Sequence, residues 1–264
     1  MKKLLLGILV VSSLLNAKDF TNTIGMRFIE IPSGSFMMGT KPPKCPKDDP
    51  FTSKNEYQDC LSSVSSDELP YHQVRIKSFY MAKTEVTQMQ YYKVMGKNPA
   101  EFKQEKLGYD SKNNPVEKVS WYEAKEFVKK LNRMEGTNKY RLPTEEEWEY
   151  SARAGTTTKW SFGNIENSLN NYAWYGHNSG DKTHPVAKKK PNRFGLYDMH
   201  GNVEEWTSSC YTKTYNKGCD KTYKSLRGGS WDYYNADDTR SAVRSSYFQD
   251  SRENFIGFRL ARTK

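Results

Sequence analysis

Four cysteines, four histidines and a closing loop dense in rings and charges are the residues of this 264-residue chain whose types could do chemistry. Cys45, Cys60, Cys210 and Cys219 lack the spacing of two to four residues that zinc-binding cysteine pairs use. Their even number suits disulfides instead, and four cysteines permit three pairings. The local pairing, Cys45 with Cys60 and Cys210 with Cys219, is expected because each pair brackets one polar loop. Each bridge would stabilise the fold by about 2–3 kcal/mol through loop closure. The histidines are His72, His177, His184 and His200. His177 and His184 are seven residues apart, which is no facial spacing on one helix, and no later residue supplies a carboxylate partner for iron. A redox metal is therefore not expected. The chain has no Gly-x-Ser-x-Gly elbow for nucleophilic hydrolysis and no phosphate-cradling glycine loop.

Residues 231–253 place Trp231, Tyr233, Tyr234, Tyr247 and Phe248 among Asp232, Asn235, Asp237, Asp238, Arg240, Arg244 and Arg252. Rigid rings interleaved with adaptable polar groups make a recognition surface. Rings left without contacts in a polar loop would be costly. Ser230, Trp231, Tyr233, Asp238, Arg244 and Tyr247 are the expected ligand-binding residues.

The elements that position this loop begin after an export signal. Lys2 and Lys3 precede an apolar run over residues 4–15, and Ala17 follows at a cleavage point, the three-part pattern of a secretory signal peptide. The run is shorter than the roughly 20 residues a membrane helix needs. Residues 1–17 are thus expected to be removed, leaving a single periplasmic or secreted domain over residues 18–264, in an oxidising compartment and acting as a monomer. Formal net charge is +10; loss of Lys2 and Lys3 leaves 10 − 2 = +8. An exported chain meets little nucleic acid, and its lysines are scattered. The excess reads as a solvated surface; its stronger functional reading is nonspecific attraction to anionic envelope glycans or lipids. Apolar residues make up 36% of the chain and aromatic residues 14%, so the core should be ring-rich, with its indole and phenol groups hydrogen-bonded.

Met26 to Pro32 alternates as a strand, and residues 36–39 should pair back against it after the Pro32-Ser33-Gly34 turn. Residues 41–69 form a polar insertion. Strand character resumes at residues 73–77 and 79–81. Three helices announce themselves by their caps: Thr87 with Gln90 and a stop at Gly96, Ser120 with Glu123 and a stop at Gly136, and Thr144 with Glu147 and a stop at Gly155. Ala124, Phe127, Val128 and Leu131 put one apolar face of the second helix on a core. The acids of the third helix, at Glu145, Glu146 and Glu147, suit its positive N-terminal end and are expected to be structural.

Ordered motifs run through nearly the whole chain: Glu85-Val86-Thr87, Asn114-Pro115-Val116, Val119-Ser120-Trp121, Arg141-Leu142-Pro143-Thr144-Glu145, Gly195-Leu196-Tyr197-Asp198-Met199-His200-Gly201-Asn202-Val203-Glu204-Glu205-Trp206, Leu226-Arg227-Gly228-Gly229-Ser230-Trp231 and Asn254-Phe255-Ile256-Gly257-Phe258-Arg259-Leu260-Ala261. In these the chain resembles the sulfatase-modifying-factor family, which includes the formylglycine-generating enzymes. The resemblance implies an α+β fold, a variant of the C-type lectin architecture with little regular secondary structure. It implies a structural calcium held by the Asp198 side chain, the Gly201 and Val203 carbonyls and the Glu205 side chain, an oxygen-only set suited to a hard cation. Glu204 departs from the family, which usually has Trp there. Catalytic members carry two copper-binding cysteines three and eight residues after the Gly-Gly-Ser serine; here those positions hold Tyr233 and Asp238, neither of which supplies a soft thiolate for Cu(I). The expectation is a calcium-stabilised binding or accessory module for an envelope protein or glycan, without formylglycine-generating activity. The alternative is a non-haem metal oxidase of the same family acting on a protein or small thiol.

Overall fold

The computed structural model describes residues 19–43, 64–215, 218–219 and 221–264. The expected signal peptide and the Cys45 and Cys60 pair lie outside the described residues. Three sheets, four α-helices and long irregular connections make up the rest. β1 (Phe20–Thr21) turns into β2 (Arg27–Ile31), and the Asn22 side chain ties the turn by accepting from the Met26 amide at 2.8 Å. β3 (Gly34–Met38), β4 (His72–Ile76) and β5 (Phe79–Ala82) follow.

β3 does not pair back against β2. It forms a separate antiparallel ribbon with β4, Phe36 opposite Val74, because both edges of β2 are already taken, by β1 and by β5. Pro32 and Ser33 send the chain out of the first sheet. A strand whose two edges are filled has no ladder left to offer.

Helices α1 (Gln88–Met95), α2 (Gln104–Leu107), α3 (Trp121–Met134) and α4 (Glu145–Arg153) come next. α1, α3 and α4 each start with the expected reciprocal capping box, from Thr87, Ser120 and Thr144. Gly96 closes α1 in the left-handed conformation. At the end of α4 the left-handed position falls on Ala154, one residue before Gly155. Ala124, Phe127, Val128 and Leu131 of α3 are all buried, as the periodicity requires.

β6 (Tyr140–Arg141) precedes α4; after it come β7 (Glu204–Cys210), β8 (Tyr223–Arg227), β9 (Ser245–Phe248), β10 (Ile256–Gly257) and β11 (Ala261–Arg262). One sheet runs β1-β2-β5-β11-β6 and the other β10-β7-β8-β9. The cores between and beside them are ring-rich. Phe28, Tyr91, Phe127, Trp206 and Phe258 share one cluster. Every fully buried indole has a hydrogen-bond acceptor: Trp206 on the Val119 carbonyl at 2.8 Å, Trp160 on Thr239 Oγ1 at 3.0 Å and Trp148 on Glu205 Oε2 at 2.7 Å. Burial of so much ring surface is affordable only with those polar tips satisfied.

Cys210 and Cys219 are joined in a disulfide, with Cα atoms 5.7 Å apart, as expected. It closes the polar loop leaving β7. Among the described residues no helix is long and apolar enough to cross a membrane.

Candidate functional site

The loop from 228 to 248 is delivered by β8 and returned by β9, and its path depends on two glycines. Gly228 and Gly229 have φ of +108° and +69°, a region L side chains avoid. A Cβ on Gly229 would also stand 2.9 Å from the Asp238 carbonyl oxygen. The turn that follows is therefore packed directly onto the motif, and Asp238 comes back beside it. Ser230 is fully buried and its hydroxyl donates to Asp232 Oδ1 at 2.5 Å. The Trp231 indole donates to the Asn254 carbonyl at 3.1 Å and meets the Phe102 ring edge-on at 5.2 Å. The Tyr233 carbonyl accepts from the Gly176 amide, while exposed Tyr234 lies over Gly176 and beside His177.

Glu204, the residue in the unusual position, is the hub of this loop. It is 1% exposed, and its Oε2 has no hydrogen-bond partner among the described residues. Burial pushes its pKa up to about 8; hydrogen bonds from Tyr233 and Ser245 lower it, and Asp232 and Asp238 raise it further. The same acid helps to push the Tyr233 and Tyr247 phenols upward, after burial. Of the expected ligand residues, Tyr233, Asp238 and Tyr247 thus lie near one buried acid, while Ser230 and Trp231 are engaged by Asp232 and Asn254.

Arg244 is not part of that group. It is 7% exposed and turns inward to Glu145, Nε to Oε1 at 2.7 Å and Nη2 to Oε2 at 2.9 Å, with Nη1 on the Asp67 and Thr212 carbonyls. Four of its five N–H donors are spent within the fold, which commits the side chain to holding structure. Its partner belongs to the acids of α4, which do more than face a helix end. Glu149 and Glu145 are buried and bind Arg227, Arg153 and Arg244. Sequence reading missed Arg227 as a structural centre, although a lone guanidinium between Leu226 and Gly228 was a visible signal.

The expected calcium residues fall in a second buried cluster. Glu205 is held on both oxygens by Arg259, at 2.6 Å each, and by the Trp148 indole, so it is turned away from the role of a free metal ligand. Asp198 receives the Ala187 amide on Oδ2, and Glu85 receives Asn202 on Oε1; among the described residues neither Asp198 Oδ1 nor Glu85 Oε2 has a hydrogen-bond donor. Burial raises the pKa of Glu85 first and Asp198 then adds to it; Asp198 is raised by burial and lies in contact with Glu85. Two buried carboxylates in contact, each with one oxygen that lacks a donor among the described residues, are relieved by sharing a proton or a cation. Gly201, with φ +79°, sits so close to Trp174 that a Cβ would meet its carbonyl oxygen at 2.1 Å, which pins the backbone of this block. Among the described residues no three His, Cys, Asp or Glu side chains converge on a metal position. The residues fit a hard cation through Asp198 and Glu85, and not through Glu205.

The histidines serve packing. His200 is buried between the Ser161 amide and the Thr239 carbonyl, and burial lowers its pKa to about 4. His184 stacks on Trp174 at 3.7 Å, with Lys189 at 3.7 Å from the same indole.

The family described as "Sulfatase-modifying factor enzyme 1-like domain" matches residues 16–264. The chain is 31% identical over 229 residues to "Chaperone protein LppX" of Paenibacillus barcinonensis, covering 68% of this chain and 74% of that protein. It is 35% identical over 162 residues to "Inactive C-alpha-formylglycine-generating enzyme 2" of Bos taurus, covering 56% of this chain and 50% of that protein, so it spans only about half of that relative. Among solved structures, "Treponema denticola variable protein 1" superposes with a TM-score of 0.78 at 30% identity, over 94% of this chain and 99% of that one.

Proposed function

Because the chain belongs to the sulfatase-modifying factor enzyme 1-like family, we propose that it is an exported binding or accessory module of that family, recognising an envelope protein or glycan through the surface from Trp231 to Arg259, and not a formylglycine-generating oxidase. The fold is the family's α+β lectin-like one. One observation carries the reading. At the two positions where catalytic members keep copper-binding cysteines stand Tyr233, leaning on buried Glu204, and Asp238, on the turn beside Gly229. Neither side chain offers the soft sulfur that Cu(I) takes. The described thiols are joined to each other at the far end of β7. A chaperone and an inactive member among the relatives support a role in binding.

The test is capture. Immobilised mature protein should retain envelope material, and Tyr233→Ala with Tyr247→Ala should reduce retention by about tenfold or more, the effect of losing ring anchors from a recognition surface. Near-ultraviolet circular dichroism of the variant would verify the fold. Undiminished retention by a folded variant would remove this surface from the reading.

Calcium belongs to the same proposal. Asp198 and Glu85 would hold it, and it would neutralise two carboxylates that otherwise share a proton in a buried place. Calcium should then raise the melting temperature of the wild type and leave Asp198→Ala unmoved. Equal shifts in both, by calorimetry against a chelator control, would show that the ion binds elsewhere.

A further inference from the structure

The face shared by α3 and β8 carries positive charge that no described residue neutralises. Lys125 and Lys224 both stand over the Trp121 ring, at 5.6 and 4.3 Å from its centroid. The Trp121 indole donates to the Thr207 carbonyl at 2.8 Å, which fixes the ring under them. Neither ammonium has a carboxylate partner among the described residues. The two acids in this part of α3 are engaged elsewhere, Glu123 by Arg252 at 2.9 Å and Lys97 at 3.4 Å and Glu126 by Lys129 at 3.8 Å. Lys125 and Lys224 thus stand over one ring without a carboxylate partner among the described residues. Partial burial and the Lys125 charge pull the Lys224 pKa below that of a free lysine.

Two like charges held on one indole repel each other, and an anion set between them would remove the repulsion. Beside them Tyr122 is 53% exposed, its ring set edge-on to Trp121 at 5.7 Å. A flat exposed ring next to an ammonium pair matches a sugar that carries an acidic group: the C–H face lies on the phenol and the carboxylate meets the lysines. Lys224 is also directly opposite Tyr247 in the β8–β9 register, so this subsite is continuous with the proposed ligand surface.

We propose that Trp121, Tyr122, Lys125 and Lys224 form a subsite for an acidic polysaccharide. The inference rests on Tyr247 belonging to the ligand surface and names the chemistry that surface takes.

Polygalacturonate is the probe, with polyglutamate and neutral dextran beside it, against the full chain. The expected result is salt-sensitive binding of polygalacturonate, weakened about tenfold in Lys125→Gln/Lys224→Gln, the scale of losing charged contacts. Tyr122→Ala should weaken it as well, and dextran should not bind. Unchanged polygalacturonate binding by the double lysine variant overturns the proposal. So does polyglutamate binding that is as tight and indifferent to Tyr122→Ala, which would assign the face to an acidic protein. The subsite and the wider reading fail separately: loss of polygalacturonate binding in the lysine variant, with envelope capture intact in Tyr233→Ala/Tyr247→Ala, keeps the subsite and removes the loop.

Discussion

Arg227→Ala should lower the unfolding free energy by about 3–5 kcal/mol, the range for removing one partner of a buried ion pair and stranding the other. Arg227 on β8 is completely buried. It binds Glu149 Oε2 through Nη2, lies 3.6 Å from Glu145 Oε1, and donates to the Val243 carbonyl. Glu149 also receives Arg153 at 2.8 Å and the Gly39 amide at 2.9 Å, while Glu145 receives Arg244. Three guanidiniums and two carboxylates thereby tie α4 to β8, to the loop before β9 and to the end of β3. Since Arg153 stays with Glu149 in the variant, the lower end of the range is expected. Urea unfolding at neutral pH would measure it. A loss of a few tenths of a kcal/mol would mean that the network is not holding these elements together.

Glu204→Gln should change how stability depends on pH. The unfolded side chain titrates near pH 4.3, and in the fold its pKa is about 8 because it is buried. The folded state therefore holds the proton more tightly. Below about pH 4 both states carry the proton and nothing is lost. As pH rises from there towards 8 the stability falls, by about 1.4 kcal/mol per unit and on the order of 4–5 kcal/mol in all, and then levels off. Glutamine never ionises, so the variant should keep most of that stability at pH 8.5 and differ little from the wild type at pH 4. Denaturation profiles in a chelator would separate this effect from any ion at Asp198. Parallel profiles for the two proteins would show that Glu204 ionises in the fold without penalty.

What could be read from the chain was what neighbours in sequence decide. Thr87 with Gln90, Ser120 with Glu123 and Thr144 with Glu147 are contacts over three residues, and each produced the expected helix start. The apolar face of α3 and the local Cys210–Cys219 bridge are of the same kind. The motifs carried the family and, with it, the fold. The β3 pairing was misread because the choice between β2 and β4 depends on which edges of β2 other strands have filled, and β5 is nearly fifty residues away in sequence. Arg244 was placed with the ligand residues because it sits among rings in the chain; its partner Glu145 lies 99 residues earlier. Glu205 was read as a cation ligand, yet a guanidinium 54 residues later holds it. The unusual residue at position 204 was noticed, but only the fold shows that it is a buried acid beside Tyr233 and Ser245.

β11 follows every other element in chain order, yet it lies inside its sheet, with Ala261 opposite Met81 of β5 on one side and Arg141 of β6 on the other. Until residues 261–262 emerge from the ribosome, β5 and β6 present facing edges with no strand between them, and Leu260 is missing from the first core cluster. The domain therefore cannot be acquired piece by piece as it is made; its closing step waits for the far end of the chain. Strand pairing over such separations is slow in loop-closure terms.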